Sequence, residues 1–79
     1  MDNYRTIEDK LKRRSPFKGN SMSAKYEVHE GEKWLAVYSY RTCIARHAMS
    51  SWEYQFNPNK YSVTTSRHQN LVRKAWGIK

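Results

Sequence analysis

The chain has 79 residues, a formal net charge of +8, aromatic content of 14% and a mean hydropathy of -1.02. A domain this short buries only about 60% of the surface its unfolded chain exposes, which leaves no room for both a core and a large substrate cleft. The charge is uneven: residues 1–32 hold seven basic and six acidic groups, whereas residues 33–79 hold eight basic groups against Glu53 alone. The positive field of the second part attracts nucleic acid, acidic protein surfaces or anionic lipid without choosing among them.

In chain order, residues 6–13 read as a short helix, with Thr6 as its N-cap, Asp9 three residues on, and Ile7 and Leu11 as an i, i+4 apolar pair. Lys10, Lys12, Arg13 and Arg14 crowd its end, where cations suit the helix dipole, and Ser15-Pro16 stops it. Residues 15–21 read as a linker. A helix this short is marginal alone, so it either docks on the rest or frays. The expected organisation is a basic, partly flexible N-terminal helix or arm over residues 1–18, followed by a folded domain over residues 19–79.

From Met22 the period changes to two: Met22, Ala24, Tyr26 and Val28 alternate with polar residues in a half-buried strand. His29-Glu30-Gly31-Glu32 is a turn, and Trp34 to Tyr40 a second strand, apolar on both faces and so central. A tight turn near Arg41 leads to a third strand, Thr42 to His47, which Ser50-Ser51 breaks. Trp52, Tyr54 and Phe56 mark a fourth strand, Asn57-Pro58-Asn59 a turn, and Lys60 to Val63 a short fifth strand. Ser66 and Gln69 have capping-box spacing, and His68, Leu71, Val72, Ala75 and Trp76 form one apolar stripe. Arg67, Asn70, Arg73 and Lys74 take the other face, and Gly77 sits where a left-handed C′ residue belongs. The expected fold is therefore α+β: a small antiparallel sheet of three to five strands covered by a C-terminal helix, with a short N-terminal helix or arm. Its core is expected to be aromatic, drawn from Trp34, Trp52, Trp76, Tyr26, Tyr38, Tyr54 and Phe56.

Catalysis finds little support. Thr64 or Ser62 beside His68, with Arg67 for an oxyanion, resembles a nucleophile and base, but Glu53 is the one acid after residue 32 that could orient the imidazole. The chain is read as non-enzymatic and without a cofactor. A metal site from His29, Cys43, His47 and His68 is disfavoured, because Cys43 and His47 on one strand stand roughly 13 Å apart. With Cys43 as its single cysteine the chain forms no intrachain disulfide, and no apolar run approaches the roughly 20 residues that span a bilayer. A soluble intracellular protein is the expectation.

Nucleic acid is the better-supported partner. Phosphate contacts are expected from Lys60, Arg67, Asn70, Arg73 and Lys74, with Arg41 and Arg46 on the sheet and Arg13 and Arg14 on the N-terminal arm. Duplex would engage the helix face or the sheet, and a single strand would need exposed rings such as Tyr38, Tyr40 or Tyr54. Arg67 has a second reading, as a tie to Ser62 or Thr64.

The blocks "GNSMSAKY", "YSYRTCIARH" and "YSVTTSRHQNLVRKA" over residues 19–76 resemble a family of small proteins of tailed bacteriophages and prophages. That resemblance implies expression in the cytoplasm of an infected bacterium. It also implies an alternative role, an inhibitor that meets an acidic surface of a host protein through the same basic face.

Overall fold

The computed structural model describes residues 3–78. Lys79, one of the cations counted above, and Met1 and Asp2 of the expected arm lie outside it. The elements are α1 (Tyr4–Lys12), β1 (Phe17–Lys18), β2 (Met22–His29), β3 (Glu32–Ser39), β4 (Thr42–Ala48), β5 (Tyr54–Phe56) and α2 (Val63–Trp76). The strands form one antiparallel sheet in the order β1-β2-β3-β4-β5, so each pairs with its sequence neighbour. This is the expected α+β architecture, an antiparallel sheet with a C-terminal helix and a short N-terminal one.

Alternation along β3 sets the two faces. Leu35, Val37 and Ser39 point to the helices, while Trp34, Ala36 and Tyr38 point away. Across β2, Met22 and Ala24 stand opposite Ser39 and Val37 and join the same core. One extra residue in β4, Ile44, shifts the register between Val37 and Tyr38, and both Ile44 and Ala45 reach the interior. The core is completed by Ile7 and Leu11 of α1, Phe17 of β1 and Val72 of α2.

Aliphatic side chains make up most of the core, with Phe17 its one buried ring and Phe56 and Trp76 packed against it, where a mainly aromatic core was expected. Of the rings expected there, Trp34 alone is buried, and it lies on the far face, beneath the Arg46 guanidinium at 5.2 Å from the ring centre. Trp52 is 81% exposed and Tyr26 and Tyr54 are also open to solvent. Two helices on a narrow sheet leave a gap that Leu, Ile, Val and Met close more evenly than rings do, so the aromatics go to the rim.

Three local expectations change. Of the two outcomes left open for the first helix, the structure has the docked one: Ile7 and Leu11 are buried and the Trp76 indole N–H donates to the Leu11 carbonyl at 2.9 Å. Its N-cap is Asn3, whose side chain accepts the Thr6 N–H at 3.0 Å while the Thr6 hydroxyl takes the Asn3 N–H at 3.0 Å. Thr6 thus occupies the third helical position of a reciprocal cap instead of starting it. The sheet also begins earlier, because Phe17, expected in a linker, pairs with Ala24 and is buried. Lys60 to Val63 is not a strand. Ser62, not Ser66, caps α2 by accepting the Thr65 N–H at 3.2 Å, which overrides the strand preference of Val63, Thr64 and Thr65. Gly77 ends α2 in the left-handed conformation, as its position predicted.

The helices run parallel. Tyr4 lies 6.0 Å from the His68 ring near both starts, and Leu11 meets Trp76 near both ends. Both positive helix ends therefore point to one end of the sheet, the end that carries the β3–β4 turn.

Candidate nucleic-acid interface

That end is organised around a buried imidazole. His68 is 0% exposed. Its Nδ1 pairs with the Ser39 hydroxyl at 2.7 Å, and its Nε2 faces Ser21 Oγ and the Tyr4 hydroxyl, each at 3.4 Å. Ser39 Oγ also pairs with Thr65 Oγ1 at 3.0 Å, and Thr65 Oγ1 in turn accepts from the Ser62 hydroxyl at 3.2 Å. Burial, with a smaller contribution from the Arg67 charge, holds the His68 pKa below its ordinary value, so the ring is neutral. The three blocks of the sequence resemblance meet here: Gly19-Asn20-Ser21, Tyr38-Ser39-Tyr40 and the start of α2.

The predicted nucleophiles are not the ones His68 meets. Its hydroxyl neighbours come from β3, α1 and the segment before β2, and Ser62 connects to it only through Thr65 and then Ser39. Among the described residues no carboxylate orients the ring, and its nitrogens face the hydroxyls of Ser39, Ser21 and Tyr4. The arrangement fastens α2 to the sheet and to α1. Gln69 also differs from its expected capping role: its side-chain amide donates to the carbonyls of Asn57 at 2.7 Å and Asn59 at 3.0 Å, pinning the loop before α2. Asn57 in turn donates to the Cys43 carbonyl at 3.4 Å and the Tyr61 hydroxyl at 2.9 Å, which holds that loop against the same end of the sheet.

Around this fastening the surface is cationic. The segments 3–7, 18–23, 38–44 and 56–70 that build the end carry Arg5, Lys18, Arg41, Lys60 and Arg67 and no acid. Among the described residues the side chains of Arg5, Arg41, Lys60 and Arg67 form no hydrogen bond or ion pair and are exposed. Arg67 is thus not tied to Ser62 or Thr64. Between these cations stand three open rings, Tyr4, Tyr40 and Tyr61. Glu30 in the β2–β3 turn, Glu32 at the start of β3 and Glu53 just before β5 lie at the other end.

The remaining predicted contacts are dispersed and engaged. Arg13 pairs with Asp9, one turn back on α1. Arg14 donates to the carbonyls of Ala48 and Ser51, at 3.0 and 3.1 Å, and lies 4.7 Å from the Trp52 ring centre. Arg46 donates to Gln55 at 2.7 Å. Arg73 stacks at 4.9 Å on Phe56, with its Nε buried and unpaired, and Lys74 pairs with Glu8 at 3.3 Å. Asn70 is exposed midway along α2. Of the nine predicted contacts, Arg41, Lys60 and Arg67 stand on segments at this one end of the sheet. Arg5, Tyr4 and Tyr61 were missed; their sole signal is that α1 and α2 start side by side, which no local pattern encodes.

The far face of the sheet holds a hollow of about 430 Å³ lined by Glu27, His29, Tyr38, Cys43, Arg46 and Gln55 among others. The Tyr38 hydroxyl donates to Glu27, which lowers the Glu27 pKa and, with burial, pushes that of Tyr38 up to about 12. Desolvation raises the Cys43 pKa, so its sulfur is a thiol and not a reactive thiolate. A carboxylate at the middle of this hollow disfavours a polyanion there. No helix among the described residues is long and apolar enough to cross a membrane.

The model of a family of unknown function, DUF8033, matches residues 6–77, nearly the whole chain and all but the first two residues of α1. No curated protein and no solved structure matches.

Proposed function

This chain belongs to the DUF8033 family, whose function is unknown, and from its charge layout we propose that it binds nucleic acid without catalysis. Phosphates are met at the end of the sheet bearing Arg5, Arg41, Lys60 and Arg67. The observation that carries the reading is the separation of charge: unpaired cations gather where the contributing segments hold no acid, and three glutamates sit at the opposite end. Cations at the glutamate-bearing end, Arg14 and Lys33 among them, are engaged by carbonyls or a ring, so it is free positive charge that is segregated. The two aligned helix dipoles add positive potential at the same place.

The test is a titration of the isotope-labelled protein with an oligonucleotide, followed by amide chemical shifts. The expected result is that shifts concentrate at residues 18–21, 40–42 and 59–68. Shifts centred on the outward face of α2 at Asn70, Arg73 and Lys74 would move the interface away from this end.

A second reading, implied by the phage resemblance, is an inhibitor that meets an acidic surface of a host protein through the same cationic end. A stoichiometric protein retained from nuclease-treated host lysate, and lost on Arg41→Glu/Arg67→Glu, is the result it predicts.

A further inference from the structure

We propose that the cationic end takes single-stranded nucleic acid, lodging two neighbouring bases in a pair of hollows walled by Tyr4 and Tyr40; this deepens the nucleic-acid reading and rests on it. The first hollow, about 300 Å³, is lined by Asn3, Tyr4, Asn20 and Ser21 among others. The second, about 200 Å³, is lined by Lys18, Asn20, Ser21 and Tyr40 among others. They share Asn20 and Ser21, so the two openings are adjacent. Their ring walls are set by one buried residue: His68 lies 6.0 Å from the Tyr4 ring and 6.4 Å from the Tyr40 ring. Two stacking surfaces held by one rigid centre need little ordering when bases arrive.

Tyr40 supplies an independent reason. It is the first residue of the two-residue β3–β4 loop, with φ of 57°, a backbone region in which a bulky residue is an outlier and glycine or asparagine the ordinary choice. Its ring is nonetheless 61% exposed and meets the interior only against His68, so core burial does not account for a tyrosine there. Backbone strain that holds an aromatic out to solvent, beside unpaired cations, is the arrangement a base-stacking platform requires.

Duplex fits the end less well. Paired bases hide their faces, and the groove-reading alternative needs a long cationic face on α2. Arg73 and Lys74, which would extend that face beyond Arg67, are held by Phe56 and Glu8. A single strand offers base faces to Tyr4 and Tyr40, base edges to the exposed Asn20 amide, and phosphates to Arg41, Lys60 and Arg67.

The experiment compares fluorescence-anisotropy titrations of an oligothymidylate, an abasic strand of equal length and a duplex, at low salt. Each is run on the wild type, Tyr40→Gly, Tyr40→Phe and the Arg41→Glu/Arg67→Glu pair. Tyr40→Gly removes the ring while relieving the backbone, so folding is not at risk, and thermal melting verifies it. The expected result is a wild type that prefers oligothymidylate over the abasic strand by roughly tenfold, a preference lost in Tyr40→Gly and kept in Tyr40→Phe. Equal binding of thymidylate and abasic strands, abolished by Arg41→Glu/Arg67→Glu, would overturn the base-stacking inference and leave nucleic-acid binding standing. A preference that survives Tyr40→Gly, or tighter binding to duplex, would overturn it equally. Absence of binding to all three probes would remove both.

Discussion

Replacing Ser39 with alanine tests whether the buried His68 cluster fastens the fold. Ser39 is 0% exposed and its hydroxyl has two partners, His68 Nδ1 at 2.7 Å and Thr65 Oγ1 at 3.0 Å. Alanine leaves the imidazole nitrogen without a partner in the interior, whereas Thr65 Oγ1 keeps its bond from Ser62. One fully orphaned buried group costs about 1–3 kcal/mol, so we expect a loss of about 2 kcal/mol. In a domain of this size that lowers Tm by roughly 8–16 °C. Urea unfolding followed by circular dichroism reads the free energy, and an unchanged m-value would show that the loss is in stability itself. A loss below about 0.5 kcal/mol would refute the reasoning, because it would mean that water or rotation of the ring satisfies Nδ1 without Ser39.

Three further outcomes follow from the same geometry. Because burial keeps the folded-state pKa of His68 below the 6.5 of the unfolded chain, the unfolded state takes up the proton first. Stability is therefore full above about pH 6.5 and falls as the pH drops towards the folded-state value; urea midpoints of the wild type will show this acid loss, and His68→Asn will flatten it. Arg14→Ala removes donors to the Ala48 and Ser51 carbonyls and the stacking on Trp52, and should cost about 1–2 kcal/mol in thermal melts while leaving oligonucleotide affinity within about twofold. Trp76→Phe deletes the bond to the Leu11 carbonyl, and should weaken α1 docking by about 1 kcal/mol, visible as faster amide exchange in residues 4–12.

Much of the fold was legible in the sequence, for reasons that also explain the rest. Strands β2 to β4 carry patterns long enough to show that each exists, with bounds off by up to two residues and with Tyr26 and Val28 of β2 exposed where alternation would bury them, and the body of α2 carries a stripe with a glycine stop. Phe17–Lys18 is too short for any period to show, so a paired edge strand looked like linker. Ser66 and Gln69 have the spacing of a cap, but Ser62 wins because Thr65 gains a buried partner in Ser39, and that partner lies 26 residues away in sequence. The site was legible as a set of cations and not as a place. On a helical wheel Arg67, Arg73 and Lys74 share a face, yet Glu8 and Phe56 arrive from other elements to occupy the latter two. Arg41, Lys60 and Arg67 are far apart in the chain, and only the pinned loop and the β3–β4 turn bring them to one end. Tyr40 could have been flagged, since a tyrosine opening a tight two-residue turn is unusual.

The central claim rests on where the phosphates bind, and the salt dependence of binding by two paired charge reversals tests it most directly. With four unpaired cations engaged, log affinity for a single strand should fall with log salt at a slope of about -3. The account predicts that Arg41→Glu/Arg67→Glu removes binding or at least halves that slope, while Arg73→Glu/Lys74→Glu leaves it nearly unchanged. A slope lost in the second pair and kept in the first would place the phosphates on the outer face of α2 and contradict the account.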